Sequence, residues 1–149
     1  MIYIGADHGG FLLKEELKKW FDQEKIPFED MGADNLDSTD DYPDFAHAVA
    51  LSVSKNPDEL KGIVICRSGA GVAIVANKTN NIRAVQVTSE EGAQHARSND
   101  DANIIALAGD WTTIEEAKRL VQAFLNTPFG AQEKDQRRIQ KILAIENKQ

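Results

Sequence analysis

Short apolar runs alternate along the chain with stretches in which apolar residues recur every three or four positions. A continuous apolar run is typical of a strand buried on both faces, and the wider spacing is typical of a helix with one buried face. The clearest strand is predicted at residues 62–66, where Gly-Ile-Val-Ile-Cys precedes a polar turn. Alternation of the two kinds of segment predicts the α/β class.

The pattern predicts five strands and about six helices in one domain spanning residues 1–149. The strands are predicted at residues 2–4, 27–28, 62–66, 82–87 and 102–108. Two helices are predicted in the first half of the chain, from about residue 10 to 24 and from residue 41 to beyond 53. A short helix is predicted through residues 74–76, and three more begin at residues 88, 113 and about 133, the last of them continuing to the end. We expect capping boxes at Thr88 with Glu91 and at Thr113 with Glu116. These segments predict a three-layer α/β/α fold, a five-stranded parallel sheet covered by helices on both faces.

The loops after the strands form the candidate site, because ligands of parallel sheets bind outside the carboxyl ends of the strands. Cys66 ends the clearest strand, and Ser68, Gly69 and Gly71 follow it. Glycines there let backbone N–H groups converge on an anion, and a helix start favours the thiolate form of a nearby cysteine. Cys66 is equally well explained as a small buried apolar residue, and the strand pattern leaves both interpretations open.

Composition narrows the class of protein. The chain is 42% hydrophobic and 28% charged with a net charge of -7, which argues against a nucleic-acid partner. It contains no apolar run of membrane-spanning length. The apolar run at its start is too short for a signal peptide. One cysteine cannot form an internal disulfide, so we expect a reducing, cytoplasmic location.

Two cofactor hypotheses are weak. Gly69-Ala70-Gly71 lacks the third small residue of a dinucleotide-binding loop, because Ile74 occupies that position. A metal site needs three or four convergent ligands, and the sequence offers only Asp7, His8 and Cys66. Both hypotheses therefore rank low.

Two further groups of polar residues have open interpretations. Asp7 and His8 follow the first strand and are suited to sugar or phosphate contacts, or else Asp7 caps the first helix and His8 is solvated. Lys134 and Arg138, four residues apart on the last helix, form either a phosphate clamp or part of a solvated face.

Five motifs in the same order and spacing make the whole chain resemble the type B ribose-5-phosphate isomerases, a family that also includes the galactose-6-phosphate isomerase subunits. They are residues 5–10 (GADHGG), 41–43 (DYP), 65–71 (ICRSGAG), 76–78 (ANK) and 82–84 (IRA). The resemblance implies a Rossmann-like parallel sheet, a homodimer or homotetramer, a small sugar-phosphate substrate, and no metal or organic cofactor.

The resemblance also implies roles for individual residues. Cys66 matches the base that moves a proton between C1 and C2 through a cis-enediolate. The backbone of Arg67, Ser68, Gly69, Ala70 and Gly71 matches the pocket for the enediolate oxygens, with Ser68 where the family usually has Thr. Asp7 and His8 match contacts to the sugar and the phosphate.

Departures from the family pattern concern ring opening and phosphate binding. Asn99 stands where the family has the histidine that opens the sugar ring, and Asp100 follows it. Asp110 stands where the family has an arginine, and Arg67 replaces a usual glycine. Lys134-Asp135 replaces an Arg-His pair, whereas Arg138 is retained.

The leading hypothesis is an isomerase of ribose 5-phosphate and ribulose 5-phosphate. In it Cys66 is the base, Asn99 or Asp100 assists ring opening, and Lys134, Arg138, His8 and Arg67 hold the phosphate, some from a partner subunit. A second hypothesis is an isomerase of another sugar phosphate or of a less charged sugar, since the Asp110 carboxylate favours a hydroxyl over a phosphate. A third is a sugar-phosphate binding protein without catalytic activity.

Overall fold

The computed structural model describes residues 1–148, and the predicted end of the last helix at Gln149 lies outside them. The strands are β1 Ile2–Ala6, β2 Phe28–Asp30, β3 Lys61–Cys66, β4 Ala84–Gln86 and β5 Ile104–Ala108. The helices are α1 Phe11–Glu24, α2 Tyr42–Ser54, α3 Ala70–Ala76, α4 Glu90–Ser98, α5 Ile114–Asn126 and α6 Glu133–Glu146. No helix within residues 1–148 is long and apolar enough to cross a bilayer.

The five strands form one sheet in the order β2-β1-β3-β5-β4, and every neighbouring pair is parallel. β3 lies in the centre, where it pairs with β1 on one side and β5 on the other. The predicted five-stranded parallel sheet is therefore confirmed. All carboxyl ends of the strands lie at one edge of the sheet and all amino ends at the other.

Helices cover both faces of the sheet, as the three-layer prediction requires. Side chains of β3 alternate, so that Ile63 and Ile65 join a core beneath α1, α4 and α5. Val64 and Cys66 face the opposite way into a core beneath α2 and α3. Strands buried on both faces need apolar residues at every position, which explains the unbroken run that marks β3 in the sequence.

The prediction for β4 was too long. The strand covers Ala84–Gln86 only, although Ile82 and Val87 on either side are buried as expected. The Asn77 side chain takes over the hydrogen bonding at its start, since Oδ1 accepts from the Ala84 N–H and Nδ2 donates to the Ala84 carbonyl, both at 2.8 Å.

One predicted capping box is confirmed and the other is wrong. Thr113 and Glu116 form a complete box at the start of α5. At α4 the cap is Ser89, not Thr88, and its hydroxyl accepts from the Gly92 N–H at 3.0 Å. Both Thr88 and Ser89 are good N-cap residues, so local spacing alone could not choose between them.

Candidate active site

Cys66 is the last residue of β3 and is 5% exposed. Its Sγ atom accepts a hydrogen bond from the Gly69 N–H, with a nitrogen-to-sulfur distance of 3.2 Å. Gly69 has a left-handed backbone with φ of 79°, and a Cβ there would lie 3.0 Å from the Leu107 carbonyl carbon. Glycine is therefore required at this position, both by its conformation and by its contact with β5.

The loops that follow β1, β3 and β5 pack against each other beside Cys66. A Cβ on Gly9 would lie 2.9 Å from the Arg67 backbone nitrogen, and one on Gly109 would lie 2.3 Å from the Gly9 carbonyl oxygen. The Gly109 N–H donates to the Cys66 carbonyl at 2.8 Å. Side chains larger than hydrogen would separate the loops, so these glycines determine the shape of the edge.

The turn from Ser68 to Gly71 presents backbone N–H groups toward the same edge. The Ala70 N–H donates to the Ser68 hydroxyl at 3.3 Å, and the Gln86 amide donates to the Ser68 carbonyl at 2.6 Å. A Cβ on Gly71 would lie 2.7 Å from the ring of Tyr42, so the phenol covers the turn. N–H groups in the first turn of a helix have no partner within the helix, so those that no side chain occupies are available to an anion.

Asp7 is 5% exposed, and its Oδ1 atom accepts from the N–H groups of Gly9 and Gly10 at 3.0 and 3.2 Å. It therefore holds the loop that leads into α1. It is not the helix cap that the sequence left open as an alternative, because the N-cap of α1 is Gly10 and no side chain caps this helix. Burial raises the pKa of Asp7 above its usual value, and the neighbouring His8 and the two N–H groups oppose that shift.

His8 is half-buried and pairs with Asp40. The imidazole Nδ1 lies 2.7 Å from the Asp40 Oδ1 atom, and the His8 backbone N–H donates to the same oxygen at 3.0 Å. This hydrogen bond is the main reason that the pKa of His8 is raised above its ordinary value of 6.5. Nδ1 is thereby occupied, and the Nε2 atom of the ring is the one left for a ligand.

Asp7, His8 and Asp40 each offer one potential metal ligand within 4.8 Å of the others. The His8 Nδ1 and Asp40 Oδ1 atoms are hydrogen bonded to each other, and the Asp7 Oδ1 atom accepts from the Gly9 N–H. We therefore assign no metal to this cluster.

Arg67 and Asp110 face each other across the edge, with the guanidinium Nη1 3.5 Å from the Asp110 Oδ2 atom. Both side chains are largely exposed. Arg67 therefore neutralises part of the negative charge that Asp110 brings to the site.

The remaining four candidate residues, Asn99, Asp100, Lys134 and Arg138, lie at the amino edge of the sheet. Asn99 ends α4, and Asp100 lies next to it, before β5 begins. The loop before α6 joins this edge, since the Gly130 N–H donates to the Ser98 carbonyl at 2.9 Å. Because β5 has five residues, the length of the strand, about 16 Å, separates this edge from Cys66.

The model of the ribose/galactose isomerases matches residues 2–142 of the chain, nearly its whole length. The chain belongs to the ribose/galactose isomerase family. Among its relatives, the probable ribose-5-phosphate isomerase B of Mycoplasma genitalium is 39% identical over 97% of this chain and 95% of the relative. Ribose-5-phosphate isomerase B of Escherichia coli is 35% identical over 99% of this chain and 97% of the relative.

A solved structure of this ribose/galactose isomerase family agrees with the fold. The crystal structure of ribose-5-phosphate isomerase B from Mycoplasma genitalium with bound ribulose-5-phosphate matches with a TM-score of 0.95 and 38% identity. The match covers 99% of this chain and 97% of the other. The family resemblance of the sequence and the fold expected from it are both confirmed.

Three residues near Cys66 in this family member were absent from the sequence-based site. They are Asp40, Tyr42 and Gln86. Tyr42 belongs to the Asp-Tyr-Pro motif and was used only as a family marker. Asp40 lies in a loop whose many acidic residues look alike in the sequence, and only the fold shows which of them reaches His8.

Proposed function

We propose that this chain is an aldose–ketose isomerase that interconverts ribose 5-phosphate and ribulose 5-phosphate, with Cys66 as the base. The observation that carries the proposal is the thiol at the carboxyl end of the central strand, hydrogen bonded by the Gly69 N–H at 3.2 Å. The family membership and the names of the relatives support the substrate.

In the proposed reaction the Cys66 thiolate removes the proton from C2 of the open aldose and returns it to C1. The cis-enediolate between these two steps carries negative charge on oxygen, and the backbone N–H groups of Ser68 and Gly71 are suited to receive it, because those of Gly69 and Ala70 already donate to the Cys66 Sγ atom and the Ser68 hydroxyl. A preorganised donor of this kind typically stabilises such an intermediate by roughly 2.7–4 kcal/mol. Loss of the turn geometry would therefore slow enediolate formation.

We propose that the complete site forms between two copies of the chain. Within one copy the sheet separates Cys66 from Asn99, Asp100, Lys134 and Arg138, so these residues can meet it only from a second molecule. Several large apolar side chains are exposed, as expected of an interface, among them Leu51 at 47%, Ile74 at 62% and Ile145 at 59%. A homodimer is the smallest assembly that can bring the carboxyl edge of one copy to the amino edge of a second copy.

In this assembly the partner's α6 helix supplies cations for the phosphate. Lys134 and Arg138 are both exposed, and the Arg138 Nη1 atom lies 3.5 Å from the buried Asp135. Arg67 adds a third cation from the Cys66 edge. Asn99 and Asp100 would then contact sugar hydroxyls, and because a primary amide does not titrate, Asn99 cannot act as an acid or base.

Turnover of ribose 5-phosphate by the purified chain and its Cys66→Ala variant tests the proposal. General base catalysis contributes roughly 10²–10⁴-fold, so we expect the variant to lose at least that much of kcat. Solvent deuterium should enter the C1 position of ribulose 5-phosphate with the wild type only, as followed by proton NMR. His47→Gln, on the exposed surface of α2, is the matched control. Full turnover by Cys66→Ala would contradict the proposed mechanism.

A second candidate substrate is a sugar without a phosphate, and Asp110 is the observation that favours it. Its carboxylate is a poor neighbour for a phosphate unless Arg67 neutralises it. A panel of free and phosphorylated aldoses, compared by kcat/KM, separates the two substrates. A preference for the free sugar would favour this candidate over ribose 5-phosphate.

We also propose a cytoplasmic location, because the chemistry requires Cys66 to stay reduced. Oxidation of the thiol would remove the base. The corresponding signature would be a loss of activity with a mild oxidant that a thiol reductant restores, while the residual activity of Cys66→Ser is insensitive to the oxidant.

A further inference from the structure

Ring opening needs an acid–base group, which the amide of Asn99 cannot be. The neighbouring Asp100 side chain is 59% exposed and lies 3.6 Å from His95 Nδ1, too far for an orienting hydrogen bond. Ribose 5-phosphate closes into a five-membered ring through O4, whereas ribulose 5-phosphate stays open because its terminal oxygen carries the phosphate. An isomerase acting on the aldose must therefore open a ring before the C2 proton can leave. Asn99 occupies the position from which a family histidine does this, and an amide cannot donate a proton.

A different histidine in this chain is already oriented for proton transfer. His8 Nδ1 lies 2.7 Å from Asp40 Oδ1, and the backbone bond from the His8 N–H to the same oxygen fixes the two residues together. The Asp40 loop is itself ordered, since Asp37 accepts from the backbone N–H and hydroxyl of Thr39 at 2.9 and 2.7 Å. A carboxylate on one imidazole nitrogen sets the tautomer and directs the other nitrogen outward.

His8 follows the strand that neighbours the strand of the proposed base. Ala6 of β1 pairs with Ile65 of β3, so Asp7 and His8 continue from β1 next to Cys66, the last residue of β3. Neighbouring strands are about 4.8 Å apart, and the loop carrying His8 packs on the Arg67 backbone. In the closed aldose O4 is bonded directly to C1, which Cys66 must also approach. A group that protonates O4 therefore has to come from this short distance.

The charges around His8 favour its protonated form. Asp40 contributes through the hydrogen bond, and Asp7 and Asp37 add negative charge, while Arg67 acts in the opposite sense. The Asp40 Oδ2 atom is buried and has no hydrogen-bond partner within the described residues. The charge of the Asp40 carboxylate is therefore directed at His8, whose pKa is raised and which stays an acid to a higher pH than an ordinary histidine.

We propose that His8, positioned by Asp40, is the catalytic acid that opens the substrate ring, in place of the phosphate contact that the family resemblance implies for it. This inference rests on the proposed isomerase function. The Nε2–H proton passes to O4 as the C1–O4 bond breaks. The O1 hydroxyl loses its proton to water, and the oxygen becomes the carbonyl of the open aldehyde. Water then returns a proton to Nε2, so the step neither consumes nor produces any other species.

His95 is the rival group at the opposite edge. It lies one helical turn before Asn99, with Nδ1 3.6 Å from Asp100, and a second copy would bring it toward Cys66. Its side chain is 68% exposed, against 26% for His8. The shorter hydrogen bond and the greater burial of His8 favour His8 over His95 for oriented proton transfer.

The two substrates separate ring opening from proton transfer at carbon. His8→Gln places an amide nitrogen near the Nε2 position, so it retains a hydrogen-bond donor but no acid. With ribose 5-phosphate we expect kcat to fall by about 10²-fold or more and KM to change little. With ribulose 5-phosphate, deuterium exchange at C1 should continue near the wild-type rate, because that substrate has no ring.

A dependence on enzyme concentration provides a second signature. His8→Gln must draw on open aldehyde that forms without catalysis, so its rate with ribose 5-phosphate should level off as more enzyme is added. Exchange of ribulose 5-phosphate should stay proportional to enzyme. His8→Asn, which keeps a donor to Asp40, should behave in the same way and shows that the loss does not come from misfolding.

The outcomes distinguish this inference from the proposed function. Equal loss in both assays would assign His8 to binding or to the enediolate step and overturn the inference, as would no loss in either. Selective loss of ribose 5-phosphate turnover in His95→Gln, with His8→Gln active, would overturn it in favour of the rival group. Retention of both activities in Cys66→Ala would instead contradict the proposed function. His47→Gln is the neutral control.

Asp40→Asn tests the positioning role of Asp40 through the pH profile. The hydrogen bond from His8 to the Asp40 carboxylate raises the pKa of His8, so the variant should lower that pKa again. The decline of kcat for ribose 5-phosphate on the alkaline side should then move to lower pH, while the profile for ribulose 5-phosphate exchange stays in place. An unchanged alkaline limb would show that Asp40 does not act through His8.

Discussion

The two edges of the sheet differ in how completely one chain builds them. At the carboxyl edge Cys66 and Asp7 are each 5% exposed, and three loops meet with only glycine hydrogens between them. At the amino edge the Asp100 side chain is 59% exposed and that of Arg138 is 67% exposed. One chain packs the carboxyl edge closely, whereas the amino edge presents charged side chains to solvent.

This difference indicates which part of the proposed isomerase reaction each edge can perform within one chain. Proton transfer needs groups held in place, and the glycine contacts around Cys66 supply that order. Phosphate binding tolerates long, flexible cations, which a second copy can bring to the site. The proposed site therefore combines a closely packed half with a solvent-exposed half.

The largest effect should come from mixing two inactive variants. Cys66→Ala lacks the base and Arg138→Ala weakens the phosphate contact, so each homodimer should be poorly active alone. After co-expression, random pairing makes half the dimers mixed, and each mixed dimer has one intact site, which predicts roughly a quarter of wild-type activity. Co-expression of two Cys66→Ala chains with different tags is the control. A mixture no more active than its components would contradict the shared site.

Lys14 should show the largest effect on stability. Its side chain is fully buried, and Nζ donates to Asp30 at 2.6 Å and to the Ala33 carbonyl at 2.8 Å, which anchors the segment before the Asp40 loop. Lys14→Met leaves the Asp30 carboxylate with one cation fewer, and breaking a buried pair typically costs about 3–5 kcal/mol. Urea denaturation measures the change.

Lys18→Met is the matched control for Lys14. Lys18 also bonds to Asp30, but 25% of its side chain is exposed, so water can replace it. We expect the Lys18 variant to lose much less stability. Equal losses would show that burial is not what makes Lys14 important.

Gly109→Ala should disturb the carboxyl edge of the sheet and leave the amino edge unchanged. The new Cβ would lie 2.3 Å from the Gly9 carbonyl oxygen, so the two loops must move apart. Such overpacking typically costs about 1–3 kcal/mol, and the displaced loop should also reduce kcat. Gly92→Ala in α4, where the Cβ would meet the Ser89 hydroxyl at 3.2 Å, is the control. A Gly109 variant with wild-type kcat would show that the loop packing is not part of the catalytic geometry.

The smallest effect is expected at the exposed Arg67–Asp110 pair. Asp110→Asn removes a negative charge beside the proposed phosphate path, so KM for ribose 5-phosphate should fall by up to about fivefold while kcat stays constant. The difference should shrink in high salt, because exposed charges are screened. Glu115→Gln, another exposed carboxylate, should leave KM unaltered. A rise in KM would indicate that Asp110 binds a sugar hydroxyl instead.

Local patterns in the sequence were enough to place most of the fold. β3 was predicted within one residue because a strand buried on both faces needs a continuous apolar run. The Thr113–Glu116 box was confirmed because both of its hydrogen bonds join residues three positions apart. The Thr88 prediction was wrong because two good caps were adjacent, and tertiary contacts decided which one lies at the helix start.

For the candidate site, too, some features follow from local sequence and others follow only from tertiary contacts. Local sequence was enough to predict that Cys66 ends a buried strand beside a glycine turn, because the apolar run of a strand and the residue types of a turn are properties of neighbouring residues. Only the tertiary structure decided that Asp40 orients His8 from 32 positions away, and that Asn99 and Arg138 lie at the far edge from Cys66. Those relations depend on strand order and loop packing, which join residues that no local spacing relates.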